Sequence, residues 1–201
     1  MTKAIRLLSK EALPAIMSDE RLRRVTVGEL RPLDGPILLM EHDPCWPQLF
    51  DQEAERIRAA LGQRALRLEH VGSTSVPGLC AKPIIDMLLV VTDSSDELSY
   101  VPQLEASGYI LRIREPDWFE HRMFKGTDVD INLHVFSEGT SEVERMLLFR
   151  DRLCSDEADR ELYARTKRDL ARRVWRHVQD YANAKTEVIQ EIMERAYGGR
   201  G

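Results

Sequence analysis

The sequence predicts an α+β protein, one mixed sheet of roughly five strands covered by helices, and three features carry that reading. Pro83 to Val91 is a short apolar run, the pattern of a strand buried on both faces. Asp128 to Phe136 alternates instead, with Val129, Ile131, Leu133 and Val135 on one face and Asp128, Asp130, Asn132 and His134 on the other. From Ser141 the apolar residues Val143, Met146, Leu147 and Leu153 recur at helical spacing.

In chain order, residues 1–36 read as an appended arm, with an amphipathic helix around Lys10 to Arg24 and a turn-rich break, RPLDGP, at 31–36. Residues 37–198 form one domain. Ile37 to Met40 is a short strand. Pro47 to Leu61 is a helix, with Trp46, Phe50, Ala54, Ile57 and Leu61 on one face, Pro47 in its first turn and Gly62 closing it. Leu66 to Val71 alternates and runs as a strand into the turn Gly72-Ser73. Ser94 and Glu97 form a capping box for a helix to Ser107, kinked at Pro102 and ended by Gly108. Tyr109 to Arg114 is a third strand. His121 to Phe124 and Asp128 to Phe136 flank Lys125-Gly126-Thr127 as a hairpin. Ser141 with Glu144 caps the next helix, Ser155 starts a long one to His177, and Asp180 caps a last one ending near Gly198.

Composition narrows the function classes. With 43% apolar residues over 201 positions the chain has enough material for one real core. A net charge of -5 argues against coating nucleic acid by bulk attraction and leaves only local basic faces for a polyanion. Three widely spaced cysteines without a CxxC indicate neither a disulfide framework nor a zinc knuckle. The N-terminal stretch is too interrupted by charge and Pro14 for a signal peptide, and no segment approaches membrane-spanning length, so the expected location is the cytoplasm.

The chemistry centres on Asp86, one acid within the run Ile84 to Val91. An ionised carboxylate there costs several kcal/mol, roughly, unless paired. Its partner is a hydrogen-bond network, a cation such as Lys82, or a metal ion. If the Asp128–Phe136 strand neighbours it, Asp86 meets Asp130 or His134. Gly72-Ser73-Thr74 ends the preceding strand in a glycine and hydroxyls, suited to cradling phosphate oxygens, although an ordinary strand-to-helix turn looks the same. Lys82 stands at the mouth of the Asp86 strand, placed for a phosphate or for the carboxylate. His70, just before the glycine turn, is either a proton-transfer or phosphate group or a structural histidine. Arg150 occupies an otherwise apolar helical position, and Lys185 lies on the last helix; both are placed to approach the pocket. Arg165, Arg168, Arg172 and Arg176 form a basic stripe, read as a salt-bridged surface because Asp159, Glu161 and Asp169 are interleaved with it.

A strand ending in Gly-Ser, a loop of about a dozen residues and an acid in an apolar strand resemble the nucleotidyltransferase superfamily. More closely, HDPCWPQLF, HVGSTSVPGLCAKPIIDMLLVV, NLHVF, LLFRDRL and YANAKTEVIQEI resemble the GrpB family, glutamate-rich protein B, over Ile37 to Ala196. The resemblance implies a nucleotidyltransferase-like fold. It also implies phosphates on Gly72 and Ser73 and carboxylates, Asp86 and Asp130, holding Mg²⁺; the polar strand makes His134 a candidate catalytic group, and an imidazole ligand would favour Mn²⁺ or Zn²⁺. His70, Thr74, Lys82, Arg150 and Lys185 complete the expected nucleotide site. The substrate expected is a small-molecule nucleotide or coenzyme; neither nucleic acid nor a membrane is an expected partner. The superfamily places a second acid two residues from the first. Here Leu88 or Ile84 stands in that place, depending on which of the two acids Asp86 represents.

Overall fold

The structure, a computed structural model, describes residues 18–30 and 35–198. Most of the helix expected from Lys10, and most of the RPLDGP break, lie outside them. Within the described residues the helix α1 (Asp19–Val25) starts at Ser18, its N-cap, whose hydroxyl accepts from the Arg21 amide. Thr26 and Val27 then run along the outer edge of the sheet, the Val27 amide bonding to the Arg112 carbonyl at 2.8 Å.

The predicted α+β architecture is present. Strands β1 (Arg67–Val71), β2 (Ile85–Val91), β3 (Tyr109–Glu115), β4 (His121–Gly126) and β5 (Ile131–Ser137) form one five-stranded sheet in the order β1-β2-β5-β4-β3. β2 and β5 run parallel; the other neighbours are antiparallel, including the expected β4–β5 hairpin. The register sets Asp86 opposite Asn132 on β5 and Val71 on β1.

Helices cover both faces. Helix α2 (Trp46–Leu61) and the short α3 (Val101–Ala106) bury Trp46, Ala54, Ile57, Leu61 and Leu104 against Ile85, Met87, Leu89, Leu133 and Val135. Each large side chain fully buried there contributes about 1.5–3 kcal/mol. On the opposite face, α4 (Ser141–Ser155) lays Val143 and Leu147 on Val71, Leu88, Val90 and Phe136. Helices α5 (Glu157–Ala171), α6 (Val178–Asn183) and α7 (Thr186–Gly198) follow. Of these, α5 and α7 close over the loop Val76–Cys80 with Tyr163, Ala164, Val188 and Ile192. No described helix is long and apolar enough to cross a membrane.

Several boundaries differ from the sequence expectation. Ile37 to Met40 is not a strand beyond a single bridge from Met40 to Ala81. The helix expected from Ser94 breaks into a 3₁₀ turn at Glu97–Ser99 and then α3, because the Ser94 hydroxyl serves the Glu120 carbonyl and Ser137 rather than a helix N-terminus. Pro102 lies in the first turn of α3, where its missing N–H costs nothing, so it starts a helix instead of kinking one. The cap position of α4 is Thr140 and not Ser141. The long helix stops at Ala171 because Trp175 turns back, its indole N–H bonding the Leu170 carbonyl at 2.9 Å. Asp180 does act in a capping box, with His177 at the cap, but for α6, and α7 starts separately at Thr186.

Candidate functional site

Asp86 is the second residue of β2, on the face toward α4, and its side chain is 28% exposed. Its Oδ1 accepts from Asn132 Nδ2 at 2.6 Å and lies 3.9 Å from His134 Nε2. Burial pushes the carboxyl up, but the neighbouring His134 ring, the Asn132 amide and Lys82 together outweigh it and hold the group below its ordinary range.

The turn after β1 lies directly against this carboxylate. Gly72 adopts φ +70° and ψ −168°, and a Cβ at that position would stand 2.3 Å from Asp86 Oδ2. Only a residue without a side chain allows so close an approach. The chain continues as a 3₁₀ turn, Ser73–Ser75, in which most of the hydroxyls expected for a phosphate are engaged locally. The Thr74 hydroxyl, 1% exposed, donates to the Ile84 carbonyl at 3.3 Å and touches His70 Nε2 at 3.1 Å; Ser75 donates to the Gly72 carbonyl at 2.7 Å. Ser73 is hydrogen-bonded to Tyr163. His70 stacks on Phe50 with ring centres 4.9 Å apart, and burial pushes its pKa down to about 4, so it is a neutral ring supporting the turn from below.

Amines gather around the same carboxylate from three places: Lys82 from the loop before β2, Lys167 from α5, and Lys185 from the turn between α6 and α7 rather than from the last helix, where the sequence placed it. Lys82 and Lys185 flank the Tyr181 ring, their Nζ atoms 5.7 and 4.7 Å from its centre. Burial pushes both down to about 8; Lys185 adds to the effect on Lys82, and the negative charge of Asp86 opposes it at both. Lys167 completes the group. It is 2% exposed, donates to the Cys80 carbonyl, sits 4.9 Å from the Tyr163 ring centre, and is pushed by burial to about 7. Sequence reading missed it, although its spacing from Tyr163 and Leu170 places it on the buried face of α5.

Other expected members stand elsewhere. Asp130 precedes β5, and its carboxylate takes Lys125 Nζ at 2.9 Å while 59% exposed. Arg150 pins α4 to β1, donating to Glu69 Oε2 at 2.9 Å and to the His70 carbonyl at 3.0 Å. Leu88 is fully buried in the apolar layer under α4, and the Ile84 side chain lies at the mouth of the strand, so neither position brings a second acid to Asp86. Among the described residues no group of three or more His, Cys, Asp or Glu side chains converges as for a metal ion. These residues therefore do not fit a metal centre made by protein alone. One carboxylate beside several amines does fit an Mg²⁺ held chiefly by a ligand's phosphates.

The hairpin adds a chain that sequence reading also missed. His134 Nδ1 lies 3.0 Å from His121 Nε2, and His121 Nδ1 lies 2.8 Å from Glu115 Oε2. Period-two counting back along HRMF would have placed His121 on the His134 face. The arginine stripe is salt-bridged, as expected: Arg165 to Glu161, Arg168 to Glu41, Arg172 to Asp169 and Arg176 to Asp19.

Comparison with known proteins finds a family model described as GrpB protein that matches residues 36–195. UPF0157 protein BH1888 of Halalkalibacterium halodurans is 68% identical over 179 residues, covering 89% of this chain and 92% of its own. A dephospho-CoA kinase of Mycolicibacterium paratuberculosis is 30% identical over 81% of this chain, which spans 46% of that longer protein. Among solved structures, the conserved protein GrpB from Enterococcus faecalis superposes with a TM-score of 0.72 at 29% identity, over 81% of this chain and 99% of that one.

Proposed function

The chain belongs to the GrpB family, and from that premise, with the resemblance of its Gly72-Ser73 turn and Asp86 strand to nucleotidyltransferases, we propose that it binds a nucleotide with a divalent metal in the Asp86 cleft and transfers a nucleotidyl group to a small acceptor. The observation that carries this reading is the excess of positive charge around one carboxylate. Lys82, Lys167 and Lys185 all lie within electrostatic reach of Asp86, a balance that selects a ligand more anionic than a single carboxylate, such as a polyphosphate.

In this reading the phosphates lie along Gly72 and Ser73, where the turn's backbone approaches Asp86 most closely. Lys82 and Lys185 neutralise them. Asp86 would be the protein's ligand to Mg²⁺ or Mn²⁺, which would supply charge neutralisation for phosphoryl chemistry; Asp130, paired with Lys125, would join it only by releasing that lysine. His134, hydrogen-bonded into the hairpin and facing Asp86, is the base that takes the acceptor's proton. His70 and Thr74 hold the turn's shape, and Arg150 holds β1 to α4.

A second reading is a non-catalytic nucleotide- or coenzyme-binding module. The missing second carboxylate favours it, since Leu88 and Ile84 leave Asp86 alone, and the dephospho-CoA kinase relative suggests coenzyme chemistry. Calorimetry with nucleoside triphosphates and coenzyme A precursors, with and without Mg²⁺ or Mn²⁺, tests both. Metal-dependent binding that is lost in Asp86→Asn, together with pyrophosphate release, supports the enzyme. Binding without turnover supports the module, and no binding to either variant removes both readings.

A further inference from the structure

The side-chain chain behind His134 has no part in the reading above except through His134 itself. Glu115, His121 and His134 lie on three adjacent strands, β3, β4 and β5, on the face that also carries Asp86. Both inner members are nearly solvent-free, Glu115 at 5% and His121 at 4% exposure. His121 is clamped between rings, stacked on Phe136 at 4.7 Å and edge-on to Trp118 at 5.2 Å. Buried polar groups held so tightly in an apolar layer cost stability unless each hydrogen bond has a defined direction.

The directions follow from the donors available. A carboxylate only accepts, so the 2.8 Å contact requires His121 to carry its proton on Nδ1. Burial holds that ring neutral, with a pKa pushed down to about 4, which leaves its Nε2 as an acceptor. The hydrogen in the 3.0 Å contact between the rings must then come from His134 Nδ1. In its neutral form His134 has no second hydrogen. Its Nε2 lone pair therefore faces Asp86, and the 3.9 Å separation from Asp86 Oδ1 is longer than an N–H···O bond. Arg21 of the arm, 3.7 Å from Glu115 Oε1, sits over the outer end and favours the accepting carboxylate.

We infer that Glu115 and His121 are positioning residues that fix His134 as the Nδ1–H tautomer, leaving its Nε2 lone pair free at the Asp86 cleft. The inference rests on the proposed reaction at that cleft and names the groups that prepare its base. A proton leaving an acceptor hydroxyl passes to His134 Nε2, the oxygen keeps the electron pair for attack, and the resulting imidazolium donates to Asp86. A histidine held by a second acceptor in this way has both its ring orientation and its tautomer decided before any ligand arrives.

Two-bond ¹H–¹⁵N spectra of the ¹⁵N-labelled imidazoles, recorded at about pH 8.5 so that histidines of ordinary pKa are neutral, read the tautomers directly. The expected wild-type result is Nδ1–H for both His121 and His134. In His121→Phe, which keeps a ring against Phe136 and removes the acceptor, His134 should move mainly to Nε2–H and bond Asp86. Glu115→Gln should let His121 sample the Nε2–H form. Nε2–H on His134 in the wild type, or Nδ1–H retained in His121→Phe, overturns the assignment. The wild-type spectrum decides the matter even if the variants misfold. Because the readout needs no nucleotide, a failure of the proposed activity is distinguishable from a failure of this inference.

Discussion

Gly72→Ala tests whether the turn and the carboxylate are one unit. The backbone there, φ +70° and ψ −168°, lies in a region that is essentially glycine's alone, and a side chain forced into it costs roughly 1–3 kcal/mol. The new methyl also meets Asp86 Oδ2 at 2.3 Å, Cβ at 2.7 Å and Cγ at 2.9 Å. Asp86 is set in a central strand and bonded to Asn132, so relief requires either a side-chain shift that breaks that bond or a backbone shift. Overpacking of this kind adds about 1–3 kcal/mol. A total near 4 kcal/mol should lower the melting temperature by about 8–16 °C for a protein of this length. The control is a double-mutant cycle by urea denaturation. Asp86→Ala removes the Oδ2 and Cγ contacts and leaves only Cβ, so Gly72→Ala should cost about 1–2 kcal/mol less in that background. A cost below about 0.5 kcal/mol, or equal costs in the two backgrounds, would refute the close-approach argument.

Other outcomes follow from the same geometry. Lys167 has a folded pKa of about 7 against an ordinary 10.5, so the unfolded chain binds more protons between those values and stability from this group rises with pH across the window. Relative to wild type, Lys167→Met should therefore be most favourable near pH 6 and lose that advantage toward pH 10; urea midpoints at both ends check the sign, and a constant difference contradicts it. Restoring the missing acid should succeed at one position only. Ile84→Asp, at the mouth of the strand, should fold with a loss under about 2 kcal/mol, whereas Leu88→Asp places a charge inside the layer of Val71, Val90 and Phe136 and should cost more than about 4 kcal/mol. Circular dichroism melts of the pair compare them, and equal stability would show that the difference in burial between the mouth and the middle of the strand is misassigned.

Local periodicity was enough to read the strands of the sheet. Alternation in Asp128 to Phe136 and the apolar run ending at Val91 are consequences of a pleated backbone with one or two buried faces, so each strand announced its own type. The helices were less legible where their ends depend on distant partners: α5 stops because Trp175 returns to the Leu170 carbonyl, and the Ser94 hydroxyl is diverted to Glu120 and Ser137 across the sheet.

The candidate site divides along the same line. Sequence alone determined that Asp86 lies in a buried strand and needs a partner, and that Gly72-Ser73 ends the strand before it, because both statements follow from residue type and short-range pattern. It also grouped Asn132 and His134 on one polar face. Only the tertiary structure decided which partners the carboxylate meets. Strand register set Asn132 opposite Asp86, a neighbouring strand gave Asp130 to Lys125, and α5 and the turn between α6 and α7, far along the chain, carried Lys167 and Lys185 to the same cleft. Contacts between segments remote in sequence leave no periodic trace in either one, since Lys167 is compatible with an exposed helix face, and Lys185 with an exposed turn, until packing buries them.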